Sequence, residues 1–330
     1  MPRKTKGYAT LAEVAELAGV SPITASRALR GLENVRPDTR VRVEEAAEKI
    51  GYTPDPMARS LANGRSDVIG VLVPSVTNAV FSDVLLGLYE AADGTGMTIQ
   101  IGNTRYDPEE ECRLVKTFAA QRPAGMIVAG TDQTPKVVDL LSNMNCPVVQ
   151  VMDISGQIID KAVGLDHRAA AAAGARHLKA QGYKRPVFMA AQMDPRSKSR
   201  IRGFRDVWGE EAGLVADPAP SSIALGRQMM AQVIQRFPEA DAVQCNNDDI
   251  ALGVVFELLE LGVDMPGKMG VCGFNDLEYC QAANPAMTSV RTPRYEMGVK
   301  AIELLLGQVD GDVLDLGFEV MARSSTARSR

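Results

Sequence analysis

The chain has 330 residues, a formal net charge of −5 and 45% hydrophobic residues. That length suits two or three domains rather than one ordinary core, and the absence of an apolar run near twenty residues excludes a membrane span. Two histidines and an odd set of five cysteines (Cys112, Cys146, Cys245, Cys272, Cys280), with no Cys-x-x-Cys or Cys/His ligand spacing, exclude a disulfide framework and a histidine-based metal site.

The charge is unevenly placed. Residues 1–66 hold 11 Lys/Arg against 8 Asp/Glu, a net of +3, and the remainder holds 25 against 33, a net of −8. A basic head on an acidic body fits nucleic-acid binding by the head. The opening "MPRKTKGYAT" is basic but lacks an apolar core, so it reads as no signal peptide and the chain as cytoplasmic.

In chain order, "TLAEVAELAG" puts Leu11, Val14, Ala15 and Ala18 on one helical face, and Gly19 ends it. "SPITASRALRG" then starts a second short helix, with Ser21 as N-cap and Pro22 at the first helical position, where its missing N–H costs nothing. Ala25, Ala28 and Leu29 face inward, and Ile23, Ser26, Arg27 and Arg30 face outward. Two short helices around a tight glycine turn make either an ordinary helical hairpin or a helix-turn-helix whose second helix enters a major groove. "NVRPDTRVRVEEAAEKIG" supplies a third helix. "PDPMARSLANGRS" reads as a linker able to become helical in the right setting.

From Asp67 strands alternate with helices of 10–15 residues. The strands are "VIGVLVPS", "MTIQIG", "AGMIVAG", "PVVQVMD", "AVGLD", "PVFMAA", "DAVQC" and "GVCGFND", and the helices lie near 80–95, after "DPEEE", from Pro135, and at 167–181, 198–213, 224–236, 248–262 and 293–307. This alternation predicts an α/β architecture with parallel sheets and right-handed crossovers. No G-x-G-x-x-G follows the first strand, and neither a phosphate-binding loop nor a G-x-S-x-G elbow occurs. No catalytic, metal or cofactor site is expected, and an enzyme is the distant alternative.

The run "TLAEVAELAGVSPITASRALRG…TRVRVEEAAEKIGYTPDPMARSLANGRSDVIGVLVPS", with "SRIRGF", "QCNNDDIALG", "GVCGFND" and "MTSVRTPRYEMG" later, resembles the lactose-repressor (LacI) family of transcription regulators over essentially the whole chain. "RTPRYEMG" further resembles gluconate-type regulators. The resemblance implies a headpiece at 1–54, a hinge at 55–66 and a two-lobed core at 67–330 like the periplasmic sugar-binding proteins. Lobe 1 covers about 67–165 plus 293–318, and lobe 2 about 166–292 plus 319–330. A small effector, a sugar acid or its phosphate ahead of a neutral sugar, is expected in the crevice at the strand ends. Its candidate contacts are Asn78, Phe81, Asp166, Arg196, Arg200, Asn247, Asp248, Asn275, Thr292 and Arg294. Arg200 occupies the arginine of the family's R-x-x-G-F pattern. Family members often carry Asp at the place of Asn275, and Asp276 beside it is the expected substitute. Arg291 and Lys198 are further cations near the crevice, and "DPRSKSR" reads alternatively as a solvated loop.

For DNA, Arg27 is the expected guanine contact and Ile23 a thymine-methyl contact beside Pro22. Thr24, Ser26, Asn34, Thr39 and Arg40 are expected to meet phosphates, and Ser21 and Arg30 (the latter on the outer face with Ile23, Ser26 and Arg27) are further expected DNA contacts. In the family a hinge helix inserts a leucine into the minor groove, and the matching residue is Leu61, with Ala58 on the face that pairs across the dimer. A homodimer on a palindromic operator follows, and "MARSSTARSR" carries no tetramerising heptad. A repressor released by its effector is the leading reading. An effector-dependent corepressor or activator, and more distantly a cytoplasmic sugar-binding protein, are the alternatives.

Overall fold

The computed structural model describes residues 9–29, 34–53 and 64–328. The chain divides into two compact units after Ser66. In the first, helices α1 (Leu11–Ala18), α2 (Pro22–Leu29) and α3 (Pro37–Ile50) pack on one another. Thr10 and Glu13 close a capping box on α1, and Gly19, at φ 64°, ends it in the left-handed conformation that glycine tolerates. Ser21 Oγ accepts the Thr24 N–H at 3.1 Å and so caps α2. Val14, Ala15, Ala25, Ala28, Val43, Ala46 and Ala47 form the core. Mostly alanine, it lets short helices approach closely but buries little area per residue.

The second unit holds two six-stranded sheets. Strands β1 (Val68–Val73), β2 (Thr98–Asn103), β3 (Gly125–Ala129), β4 (Val148–Asp153) and β5 (Lys161–Leu165) belong to the first. Strands β6 (Pro186–Ala191), β7 (Gly213–Asp217), β8 (Ala242–Cys245), β9 (Gly270–Asn275) and β10 (Thr288–Arg291) belong to the second. The short strands β11 (Val313–Asp315) and β12 (Glu319–Met321) complete the first and the second sheet. The orders are β11-β5-β4-β3-β1-β2 and β12-β10-β9-β8-β6-β7. Every pairing in the first sheet is parallel. The second departs from the expected all-parallel form, because β12 returns antiparallel to β10. β4, β6 and β9 are buried along their whole length, as strands covered on both faces must be.

The intervening helices are α4 (Ala79–Ala92), α5 (Pro108–Ala120), α6 (Pro135–Ser142), α7 (His167–Ala180), α8 (Pro195–Trp208), α9 (Ile223–Arg236), α10 (Asp248–Glu260), the short α11 (Tyr279–Ala282) and α12 (Arg294–Leu305). The chain passes between the sheets after β5, after β10 and between β11 and β12. Helix α7 therefore packs on α8 and the second sheet, and α12 returns to α4 and the first. Gly87 and Gly298 make the α4–α12 contact possible, since a Cβ on either would collide with the backbone of the other helix.

Helix α8 begins at Pro195, not 198, and ends at Trp208, not 213. Asp194 caps it through Ser197 N–H and Pro195 takes the first position, repeating the grammar of Ser21-Pro22. "DPRSKSR" is thus the first turns of a helix and no loop. Strands β7, β10 and β11 and helix α11 are additions to the sequence expectation; each has at most five residues.

Candidate functional site

Two adjoining cavities open where the strands of both sheets end. The larger, about 410 Å³, runs between Thr104, Tyr106 and Asp132 of the first lobe and Arg196 of the second. The smaller, about 50 Å³, is bounded by Asn78, Phe81 and Met152 on one side and Arg200, Asn246, Asn247 and Asn275 on the other. Tyr106, Gln192, Asp194 and Arg196 line both. A crevice of this size at the carboxyl ends of parallel strands is where an open α/β core holds a small molecule.

Arg200 is the best-defined group in it. The residue is only 7% exposed. Its Nε and Nη2 lie 3.3 and 3.2 Å from His167 Nδ1, and its Nη1 donates to the Asn246 carbonyl at 2.5 Å. The guanidinium carbon stands 3.8 Å from the centroid of the Phe274 ring. A guanidinium has five N–H groups, so these contacts leave one N–H on each terminal nitrogen. Burial lowers its pKa to about 10, against the opposing pull of Asp194 and with the help of Arg196, and it remains charged at neutral pH.

Arg196 is paired with Asp194, Nη2 to Oδ2 at 2.9 Å. Burial is the largest single influence and works against both charges, but the partner's charge together with the Ser197 N–H and Arg200 around Asp194, and with Tyr106 and Asp132 around Arg196, outweighs it. The Arg196 pKa is raised and that of Asp194 falls to about 2. Asn247 caps α10 and donates to Ser221 at 2.6 Å, and Asn78 caps α4. Asn275 is 2% exposed and its Oδ1 has no hydrogen-bond partner. A buried acceptor left unpaired costs about 1–3 kcal/mol, which a ligand hydroxyl would recover.

Four expected contacts lie outside the cavity linings. Asp166 caps α7 through the N–H groups of Arg168 and Ala169. Asp248 is fully buried inside lobe 2, where it accepts from Leu277 N–H at 2.9 Å and from the Ser289 hydroxyl at 2.7 Å. Thr292 accepts from Arg294 Nη1. Arg294 binds Asp83 of α4 at 2.7 Å and the Asn275 carbonyl, so it straps the lobes together. Nor does Asp276 substitute for an aspartate at 275, because Arg291 and Arg323 hold its carboxylate at 2.9 and 2.6 Å. That pairing also occupies Arg291, and Lys198 is exposed.

The structure adds residues that the sequence did not single out: Tyr106, Gln192, Asp194, Ser197 and Asn246 line the cavities, and His167 stands behind Arg200. Tyr106, Met152, Gln192 and Asn275 have φ values of 58°, 83°, 50° and 107°. Positive φ is costly for such residues, and its concentration around one cavity is a mark of a functional site.

In the headpiece, Ile23 is 65% exposed and Arg27, Pro22 and Asn34 are exposed, while Thr24, Ser26, Thr39 and Arg40 are half-buried. The Ser21 hydroxyl is already used, by the Thr24 N–H and by Thr24 Oγ1 at 2.9 Å. The outer face of α2 thus offers one cation and one aliphatic side chain, as a major-groove helix needs. Arg30, Ala58 and Leu61 lie outside the described residues.

A helix-turn-helix headpiece followed by a two-lobed core with a buried arginine at its crevice defines a ligand-responsive DNA-binding regulator. Residues 10–55 match the model of the bacterial regulatory proteins of the lacI family, and residues 66–323 that of the periplasmic binding proteins and sugar binding domain of the LacI family. The HTH-type transcriptional regulator GntR of Pseudomonas aeruginosa is 38% identical, over 98% of this chain and 97% of that protein. A crystal structure of a LacI-family transcriptional regulator from Silicibacter pomeroyi superposes with a TM-score of 0.90 at 33% identity, covering 97% of this chain and 100% of that one. The lac repressor dimer bound to operator and the anti-inducer ONPF shares the fold, with a TM-score of 0.86 at 23% identity over 98% of this chain and 100% of that one. The chain belongs to the LacI family; it is a DNA-binding transcriptional regulator with a periplasmic-binding-type core, and no enzyme. Among the described residues, no helix is long and apolar enough to cross a membrane.

Proposed function

We propose that the protein represses transcription from a palindromic operator as a homodimer and is released when an anionic carbohydrate, a sugar acid of the gluconate type, occupies the cavity between the lobes. One observation carries this reading: Arg200, whose terminal nitrogens each keep one N–H without a protein partner, lines the same cavity as Asn275, whose buried Oδ1 is unpaired. A planar two-pronged donor suits a carboxylate, and a buried unpaired acceptor suits a hydroxyl. A sugar acid brings both. The name GntR of the P. aeruginosa relative agrees with the resemblance of "RTPRYEMG" to gluconate-type regulators.

The larger cavity argues for a single charge on that ligand. Asp107, Glu111, Asp132 and Asp194 surround it against the one guanidinium of Arg196, so a phosphate placed there meets mainly carboxylates. A sugar acid is therefore favoured over its phosphate.

In this reading Arg27 and Ile23 face the bases, and Leu61 of the hinge at 55–66 enters the minor groove of the operator centre. Exposed Leu86 and Tyr89 on α4 and exposed Phe256 and Leu259 on α10 supply apolar surface for the dimer. Ligand binding shifts the lobes, the dimer contact changes and the hinges separate.

A thermal-shift screen of gluconate, other sugar acids, their phosphates and neutral sugars tests this, because a ligand that binds only the folded state raises its stability. Gluconate or another unphosphorylated sugar acid is expected to give the largest rise in Tm. A larger rise with uncharged sugars would overturn the sugar-acid reading.

A further inference from the structure

His167 is one of two histidines in the chain and has no exposed surface. It begins α7, two residues after β5, at the first passage of the chain between the lobes. Both ring nitrogens are engaged. Nε2 lies 3.1 Å from the carbonyl oxygen of Met152 on β4, in lobe 1, and Nδ1 faces Nε and Nη2 of Arg200 on α8, in lobe 2. A carbonyl only accepts and a guanidinium only donates. The imidazole must therefore carry its proton on Nε2 and keep a lone pair on Nδ1. A second proton would face Arg200, and the surroundings oppose it: burial first, then the charge of Arg200, lower the His167 pKa well below its ordinary value.

Met152 is shaped to match. It sits inside the β4–β5 pairing opposite Gly164, yet its φ is 83°. This left-handed turn lies beside the carbonyl that meets His167. Gly164 makes room for it, since a Cβ there would fall on the Met152 carbonyl group and the Asp153 nitrogen. Backbone strain at a non-glycine residue persists only where the surroundings enforce it.

We infer that His167 is the positioning residue of the effector site: through one imidazole in a single tautomer it aims Arg200 into the cavity and ties that arginine to the backbone of the opposite lobe. His167 takes the Nε/Nη2 edge of the guanidinium, the Asn246 carbonyl takes one N–H of Nη1, and one N–H on each terminal nitrogen is left for the ligand. A pull on Arg200 by a bound anion then reaches lobe 1 through two hydrogen bonds. This rests on the reading that the ligand meets Arg200.

Two measurements test it, with gluconate as the probe. In the first, His167→Leu lowers gluconate affinity at least tenfold, while His167→Gln, which still offers an acceptor and a donor, stays within threefold of wild type. Operator binding without gluconate shows that both variants are folded. Equal loss in both variants, or none in either, overturns the inference. The second uses the wild-type protein, so it stands even if the leucine variant does not fold. Nitrogen-15 spectra of labelled histidine should show the His167 proton on Nε2, and gluconate should move its Nδ1 signal while leaving His177 in place. A proton on Nδ1, or an Nδ1 signal unmoved at saturating gluconate, overturns it. If gluconate fails to bind the wild type at all, the sugar-acid reading has failed, and both measurements are made with the neutral sugar that raises Tm most.

Discussion

Arg200 lies against the face of Phe274, its guanidinium carbon 3.8 Å from the ring centroid. The ring is 1% exposed and belongs to a strand end of the second sheet. A desolvated cation–π contact is worth about 2 kcal/mol, and here it also fixes the plane of the fork. Phe274→Leu keeps an apolar floor and removes the π face. It should weaken effector binding about tenfold, leave operator affinity unchanged, and be read by titration calorimetry beside a gel-shift assay.

Asp248 gives a pH prediction. Burial raises its carboxyl pKa to about 6 from an ordinary 3.8, although hydrogen bonds from Ser289 and the Leu277 N–H pull the other way. The folded protein holds this proton more tightly than the unfolded chain. The contribution to stability is thus fully present below pH 3.8 and lost as pH rises through about 6. Two units correspond to about 3 kcal/mol. Urea unfolding at pH 4.5 and pH 7 should show about 2 kcal/mol of this loss, because pH 4.5 already lies above 3.8, in the wild type relative to Asp248→Asn, whose side chain does not titrate. Parallel pH profiles for the two proteins would contradict the assignment.

The carboxylates of the larger cavity predict ligand selection. Removing charge with Asp132→Asn and Glu111→Gln together should raise the affinity for a phosphorylated sugar acid about thirtyfold and change that for the unphosphorylated acid less than threefold, since each like charge near the surface is worth about 1 kcal/mol. Competition binding of the two acids measures the ratio. An unchanged ratio would show that these groups do not set the preference.

Leu61→Ala tests the hinge proposal. An apolar wedge in the minor groove adds contact and bending that random duplex does not share. The substitution should weaken operator binding by tenfold or more and non-specific binding by less than threefold. Equal losses on both duplexes would remove the wedge.

Much of this was legible in the residues. Long, strongly periodic helices and apolar strands announced the α/β core, and Ser21-Pro22 announced α2. Asp194-Pro195 carries the same signal for α8, and it puts Arg196 and Ser197 on a helix. β11 was missed because three residues give too short a pattern. β10 is likewise only four residues long, whereas β12 lies within "DLGFEVM", the C-terminal strand that the family resemblance assigns to the second lobe. Arg200 and Asn275 were found because a motif and a strand end marked them. Thr292, Arg294 and Asp248 are polar residues beside the crevice too, but their partners Asp83, Ser289 and Leu277 are distant in sequence or inside the lobe. Direction decides function there, and spacing does not record direction. Tyr106 and Gln192 were hidden because positive φ at a non-glycine residue leaves no sequence mark.

The central claim is that Arg200 links effector binding to operator release. The most direct measurement is an operator titration of wild type and Arg200→Ala, with and without saturating gluconate. The account predicts equal operator affinity for the two proteins without gluconate, and release by gluconate in the wild type only. Release of Arg200→Ala by gluconate at the wild-type concentration would contradict it.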